Sequence, residues 1–129
     1  MSKPISSIMH RIVTPVSMDD TVEAVETLMK THRVSSTPVY DADGAILGII
    51  TSTDLVKFHS TGKDPRNVKA WEICTYRPVE VRPDTPITEV ADLMLTHRIH
   101  HVVVMENERM EGIVSALDFV KLFLEQDGK

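Results

Sequence analysis

The side chains best placed to do chemistry sit in two similar strings, Gly48-Ile49-Ile50-Thr51-Ser52-Thr53-Asp54 and Gly112-Ile113-Val114-Ser115-Ala116-Leu117-Asp118. In each, a hydroxyl precedes a carboxylate by three residues. A hydroxyl at a helix start, beside backbone N–H groups without intrahelical partners, favours an anion such as a phosphate. The same spacing is a capping box, in which hydroxyl and carboxylate tie down the first turn. For either string alone, the cap is the simpler reading.

A second polar concentration is His97, Arg98, His100 and His101. A strand would place His100 and His101 on opposite faces, and no Cys or carboxylate lies at a tight ligand spacing, so no metal ligands are expected. His32 and His97 read as cations at helix ends. Cys74 follows Ile73 and has no basic neighbour nearer than Arg77, which suits a core residue better than a reactive thiol. No Gly-rich phosphate loop, nucleophile elbow or metalloprotease His pair is present, so the chain reads as a non-enzyme.

The elements that must position these residues follow from an internal repeat. At an offset of 65, Thr31-His32-Arg33-Val34 falls on Thr96-His97-Arg98-Ile99, Leu28-Met29 on Leu93-Met94, Val25 on Val90, and Ile8 on Ile73. After one residue is lost in a turn the offset becomes 64, placing Gly48-Ile49 on Gly112-Ile113, Asp54 on Asp118, and Val56-Lys57 on Val120-Lys121. Residues 5–58 and 70–125 are thus two repeats, joined by a linker at 59–69 that carries Ser60, Gly62, Asp64 and Pro65.

Each repeat reads alike. An extended lead-in (Ile12 to Val16; Pro78 to Val81) meets helix-start chemistry at Asp19-Asp20-Thr21 or Asp84-Thr85-Pro86. Val22, Val25, Leu28 and Met29, and likewise Ile87, Val90, Leu93 and Met94, mark an amphipathic helix. A hairpin follows, turning at Asp41 to Gly44 or at Glu106 to Arg109, and a second helix closes each repeat over Thr53 to Phe58 or Leu117 to Glu125. The expected fold is α/β (α+β): two β-α-β-β-α repeats packed sheet to sheet with pseudo-two-fold symmetry. A repeat of about 55 residues buries too little apolar area to stand alone.

Composition bounds the function. At 129 residues and 14.5 kDa there is room for about one domain. Apolar residues at 42% and charged residues at 26% exclude disordered and fibrous classes. Lys plus Arg total 14 against 19 Asp plus Glu, a net charge of -5, which argues against nucleic-acid binding. One cysteine, no apolar leader and no span-length apolar run point to the cytoplasm and away from a membrane.

The doubled order of elements, with His32 to Asp41 followed by Gly48 to Asp54, resembles the CBS (cystathionine-β-synthase-type) domain family over about residues 5 to 125. The resemblance implies a tandem pair, or Bateman module: a regulatory unit that binds an adenosine-containing ligand in the cleft between its repeats. AMP, ADP, ATP and S-adenosylmethionine are the candidate ligands, with Mg²⁺ left open as companion to a polyphosphate and no other cofactor.

The family motif maps onto Gly48, Ile49, Thr51 and Asp54, and onto Gly112, Ile113, Ser115 and Asp118. Its carboxylates would accept ribose hydroxyls. One site is expected to pair Thr51 and Asp54 with Ile99, His100 and His101 and the segment from Cys74 to Val79. The other pairs Ser115 and Asp118 with Val34, Ser35, Ser36 and Pro38 and the segment from Met9 to Thr14. The histidines suit the first site to a phosphorylated ligand, and the neutral hydroxyls of Ser35 and Ser36 suit the second to a less charged tail. Val103 stands where the first repeat has Pro38, which alters one wall of the histidine-bearing site.

The resemblance also implies a homodimer through the helices, for which Leu28, Met29, Val56, Phe58, Leu93, Met94, Leu122 and Phe123 offer apolar material, and an effector protein addressed in trans. The rival reading is a structural or interaction module with empty clefts.

Overall fold

The computed structural model describes residues 3–11 and 15–127. Ile12, Val13 and Thr14, part of the first lead-in and one predicted site residue, lie outside them. The described chain is mixed α+β and divides into two compact units, one of residues 15–78 and one combining 3–11 with 79–127.

In the first unit, strand β1 (Val16–Ser17) leads to helix α1 (Val22–His32), hairpin strands β2 (Ser36–Tyr40) and β3 (Ile46–Thr51), helices α2 (Ser52–His59) and α3 (Ala70–Ile73), and strand β4 (Thr75–Tyr76). Its sheet runs β1-β2-β3-β4. In the second, a 3-10 turn (Ile5–Ser7) accompanies strand β5 (Glu80–Val81), helix α4 (Ile87–His97), strands β6 (His101–Glu106) and β7 (Arg109–Ser115), and helix α5 (Ala116–Asp127). This sheet runs β5-β6-β7, and an isolated bridge from His10 to Ile113 adds a fourth position beside β7.

The helical stripes bury as their spacing predicts. Val25 and Met29 of α1 enter a core with Val16, Val39 and Ile50, Val22 enters a smaller cluster beside it, and Ile87, Val90 and Met94 of α4 enter a separate core with Ile5, Val102, Val104 and Val114. Thr21 caps α1 by accepting from the N–H of Ala24 at 3.1 Å. The second start differs from expectation. Pro86 occupies the cap of α4 and has no side-chain acceptor to offer, while the Thr85 hydroxyl is turned back to accept from the Arg82 N–H at 3.2 Å. Both helices end on an arginine in the left-handed region, Arg33 and Arg98, each at φ 53.

The segments just ahead of the lead-ins, 3–11 and 70–76, are exchanged between the repeats, each packing within the unit of the other repeat. Residues 3–11 clamp the second repeat: Ile5 N–H donates to Thr85, Ser6 to Pro83, and Ile87 to Lys3. At the repeat offset the same three bonds run from Ala70 to Asp20, Trp71 to Met18, and Val22 to Val68. The expected linker is therefore packed structure, with Val68 sealed in a cluster with Val22 and Phe58. Sequence periodicity alone missed α3 and β4.

Candidate functional site

In the first unit the end of β3 delivers Thr51 to the start of α2, where the capping box is complete. The Asp54 N–H donates to the Thr51 hydroxyl at 3.4 Å, and the Thr51 N–H donates to Asp54 Oδ2 at 2.9 Å. Asp54 Oδ2 also accepts from the Thr51 hydroxyl at 3.1 Å. The hydroxyl of Thr75, on β4, lies 3.3 Å from both carboxylate oxygens. It has a single proton to share between them.

In the second unit Ser115 ends β7, and Asp118 Oδ2 accepts from its N–H at 2.7 Å and from its hydroxyl at 3.2 Å. Here the other carboxylate oxygen, Oδ1, is held by Nε2 of His10. Asp118 is buried at 6% exposure, whereas the His10 side chain is 63% exposed. His10 and Thr75 are equivalent positions of the repeat, each inside the segment expected beside its carboxylate but neither singled out there. The offset of 65 was the signal that pairs them.

The glycines that open each motif permit close packing. A Cβ on Gly48 would lie 2.3 Å from the Thr75 carbonyl oxygen, and one on Gly112 would lie 2.6 Å from that of His10. Only a residue without Cβ lets the exchanged backbone come this close to the motif strand. Beneath them lie equivalent sulfurs: Cys74 Sγ would be 3.2 Å from the first added Cβ and Met9 Sδ 3.0 Å from the second. Cys74 is buried, which pushes its thiol pKa up, and the nearby Asp54 adds to the rise against a Tyr76 hydrogen bond that lowers it.

The predicted residues divide between the units. Thr51, Asp54, Val34, Ser35, Ser36 and Pro38 belong to the first, and Ser115, Asp118, Ile99, His100, His101 and Val79 to the second; Thr14 is outside the described residues. Strand register sets Ser36 opposite Thr51 and His101 opposite Ser115. The carbonyls of Ser35 and His100 do equivalent work, accepting from the first N–H of α2 and of α5 at 2.9 Å. His100 itself precedes β6 rather than lying in it. Pro38 is fully buried. Its counterpart Val103 donates its N–H to the Val79 carbonyl at 2.9 Å, a bond that proline has no N–H to make.

The sequence model of the CBS domain matches twice, over residues 5–60 and 70–125. The chain belongs to the CBS-domain family. It is 35% identical over 100 residues to the uncharacterized protein YlbB of Bacillus subtilis, covering 77% of this chain and 68% of that protein. It is 29% identical over 115 residues to Hypoxic response protein 1 of Mycobacterium tuberculosis, covering 88% and 80%. The crystal structure of an uncharacterized conserved protein from Pyrococcus horikoshii superposes with a TM-score of 0.86 at 26% identity, covering 95% of this chain and 93% of that one. Among the described residues, no helix of this CBS pair is long and apolar enough to cross a membrane.

Proposed function

We propose that this CBS pair is a regulatory module that senses an adenosine-containing nucleotide of the AMP, ADP or ATP class. The observation that carries the reading is the doubled hydroxyl–carboxylate constellation. Thr51 and Asp54 meet at a helix start, and among the described residues Asp54 Oδ1 is engaged by a shared hydroxyl at 3.3 Å. Such a carboxylate has acceptor capacity left for a ribose diol, and the helix start above it favours a phosphate. The module acts in the cytoplasm without catalysing a reaction and signals to a protein partner in trans. The ligand binds one conformation more tightly and shifts the population by that difference.

We also propose a homodimer, through part of the surface the sequence suggests, since of those residues Val56 and Phe123 are exposed. Met29, Phe58 and Met94 are buried, and Leu28, Leu93 and Leu122 pack on the cores, so they are not free to dimerise. Phe123 stands on α5 with three more exposed apolar side chains, Leu117, Val120 and Leu124, and Leu95 is exposed on α4. The four on α5 supply apolar area toward the roughly 800 Å² per partner that a stable interface buries. A second copy presents the same side chains, so a two-fold contact is self-complementary.

A thermal-shift series with AMP, ADP, ATP and adenosine tests the ligand reading. Binding must raise Tm by mass action, and the rise should fall in Asp54→Ala. No shift at millimolar nucleotide would favour the rival, an interaction module whose carboxylates act only as helix caps. That rival draws support from the complete capping box at Thr51 and Asp54.

A further inference from the structure

We propose that His10 is a specificity-determining residue: it occupies the oxygen of Asp118 that a ribose diol would take, and thereby makes the two nucleotide sites unequal. The inference rests on the nucleotide reading above. The backbones around the two motif carboxylates are equivalent. His10 exchanges two hydrogen bonds with Ile113, both at 2.9 Å, and Thr75 pairs with Ile49 at the same register of the other sheet. What differs is the side chain that reaches the carboxylate.

An ionised carboxylate offers about four acceptor positions, and a diol must claim one with each hydroxyl. Both aspartates spend Oδ2 on the backbone N–H and hydroxyl of the cap residue. At Asp54 the remaining oxygen shares one hydroxyl proton with its neighbour. At Asp118 it is bonded by an imidazole nitrogen, and Asp118 itself is almost closed to solvent. A hydrogen bond to an ionised carboxylate is charge-assisted, and an imidazole nitrogen committed to one oxygen holds it more tightly than a hydroxyl shared between two at 3.3 Å.

The His10 side chain is 63% exposed and its backbone, not its ring, is strapped to β7, so an arriving ligand can displace the ring without unpairing the backbone. A nucleotide therefore fills the Asp54 site first. The Asp118 site fills only as the ligand displaces the imidazole.

Calorimetric titration of AMP tests this on the full chain. Asp118→Ala leaves the Asp54 site and Asp54→Ala leaves the Asp118 site, and the latter should bind about tenfold more weakly. Adding His10→Thr to Asp54→Ala should recover the tenfold, and His10→Ala should do the same without supplying a hydroxyl. Thr75→His in the Asp118→Ala background should lose a similar factor, a reciprocal change that a merely structural histidine would not produce. The gain from His10→Thr should shrink with 2′-deoxy-AMP, which lacks half of the diol.

If Asp118→Ala fails to fold, the two-step isotherm of the otherwise unaltered chain, with and without His10→Thr, gives the same comparison. AMP binding that is indifferent to both His10 substitutions overturns the inference alone. Absence of binding by AMP, ADP and ATP to every protein overturns the nucleotide reading and this inference with it.

Discussion

The unit that holds Asp54 and the unit that holds Asp118 share backbone hydrogen bonds almost pair for pair, yet they hold their motif carboxylates differently. Thr75 touches Asp54 with a hydroxyl, while His10 grips Asp118 with a ring nitrogen. The helical surfaces diverge as well. On α4 and α5, Leu95 and Phe123 are exposed, whereas Lys30 and His59 hold the equivalent positions on α1 and α2, with His59 paired to Glu26 at 2.7 Å. Duplicated backbone has preserved the scaffold and left the side chains that meet ligand or partner free to differ. The lesson is that a repeat licenses carrying over geometry, not function.

The largest effect should come where the units are most alike. Gly48→Ala drives a Cβ into the Thr75 carbonyl and should cost about 3 kcal/mol in urea unfolding, and Gly112→Ala about 2 kcal/mol, since its closest approach is slightly longer. A neutral result at either glycine would mean that the exchanged segments are not clamped as described.

The helical surfaces should then separate the units. Phe123→Glu should weaken self-association at least thirtyfold in sedimentation equilibrium, about 2 kcal/mol, while Val56→Glu on α2 leaves it unchanged. Equal effects would erase the difference between the two helix pairs.

Carboxylate substitutions probe the same comparison more finely. Asp118→Asn should cost about 2 kcal/mol, because it is buried and bonded by both Ser115 and His10, against about 1 kcal/mol for half-buried Asp54→Asn. Matching losses would show that His10 contributes nothing to holding Asp118.

Cys74 has no counterpart thiol, since Met9 fills its position. Burial favours the neutral thiol in the folded chain, so the associated stability is full below the ordinary thiol range and declines as pH rises through it. The urea midpoint between pH 7 and 10 should therefore fall more steeply in the native chain than in Cys74→Ala.

The smallest effect should be shared by both units. Arg33→Gly and Arg98→Gly relieve a side chain held at φ 53 and should each stabilise by about 0.5 kcal/mol.

Much of this was legible from residue order. Val22, Val25 and Met29 at helical spacing predicted α1, and Asp41 to Gly44 predicted a turn that the structure places between β2 and β3. Thr51 and Asp54 were readable as a capping box because its partners lie within one turn. Other features were not legible for an equally physical reason. Thr85 has the side chain of a helix cap, but its hydroxyl is taken by Arg82, a competition that propensity does not resolve. Strand β4 is two residues long and exists only because Gly48 leaves room beside β3.

By itself, the sequence determined the repeat, the amphipathic helices, the hairpins and the motif positions, because each rests on spacing along a few turns or a single hairpin. The family resemblance implied which segment meets which carboxylate, and the tertiary structure decided which side chain of each segment makes the contact. It thereby placed His10, 108 residues away in the chain, on Asp118 and Thr75 on Asp54. Strand pairing across such separations depends on which backbone edge is open, and on whether a glycine admits the neighbour, rather than on local pattern.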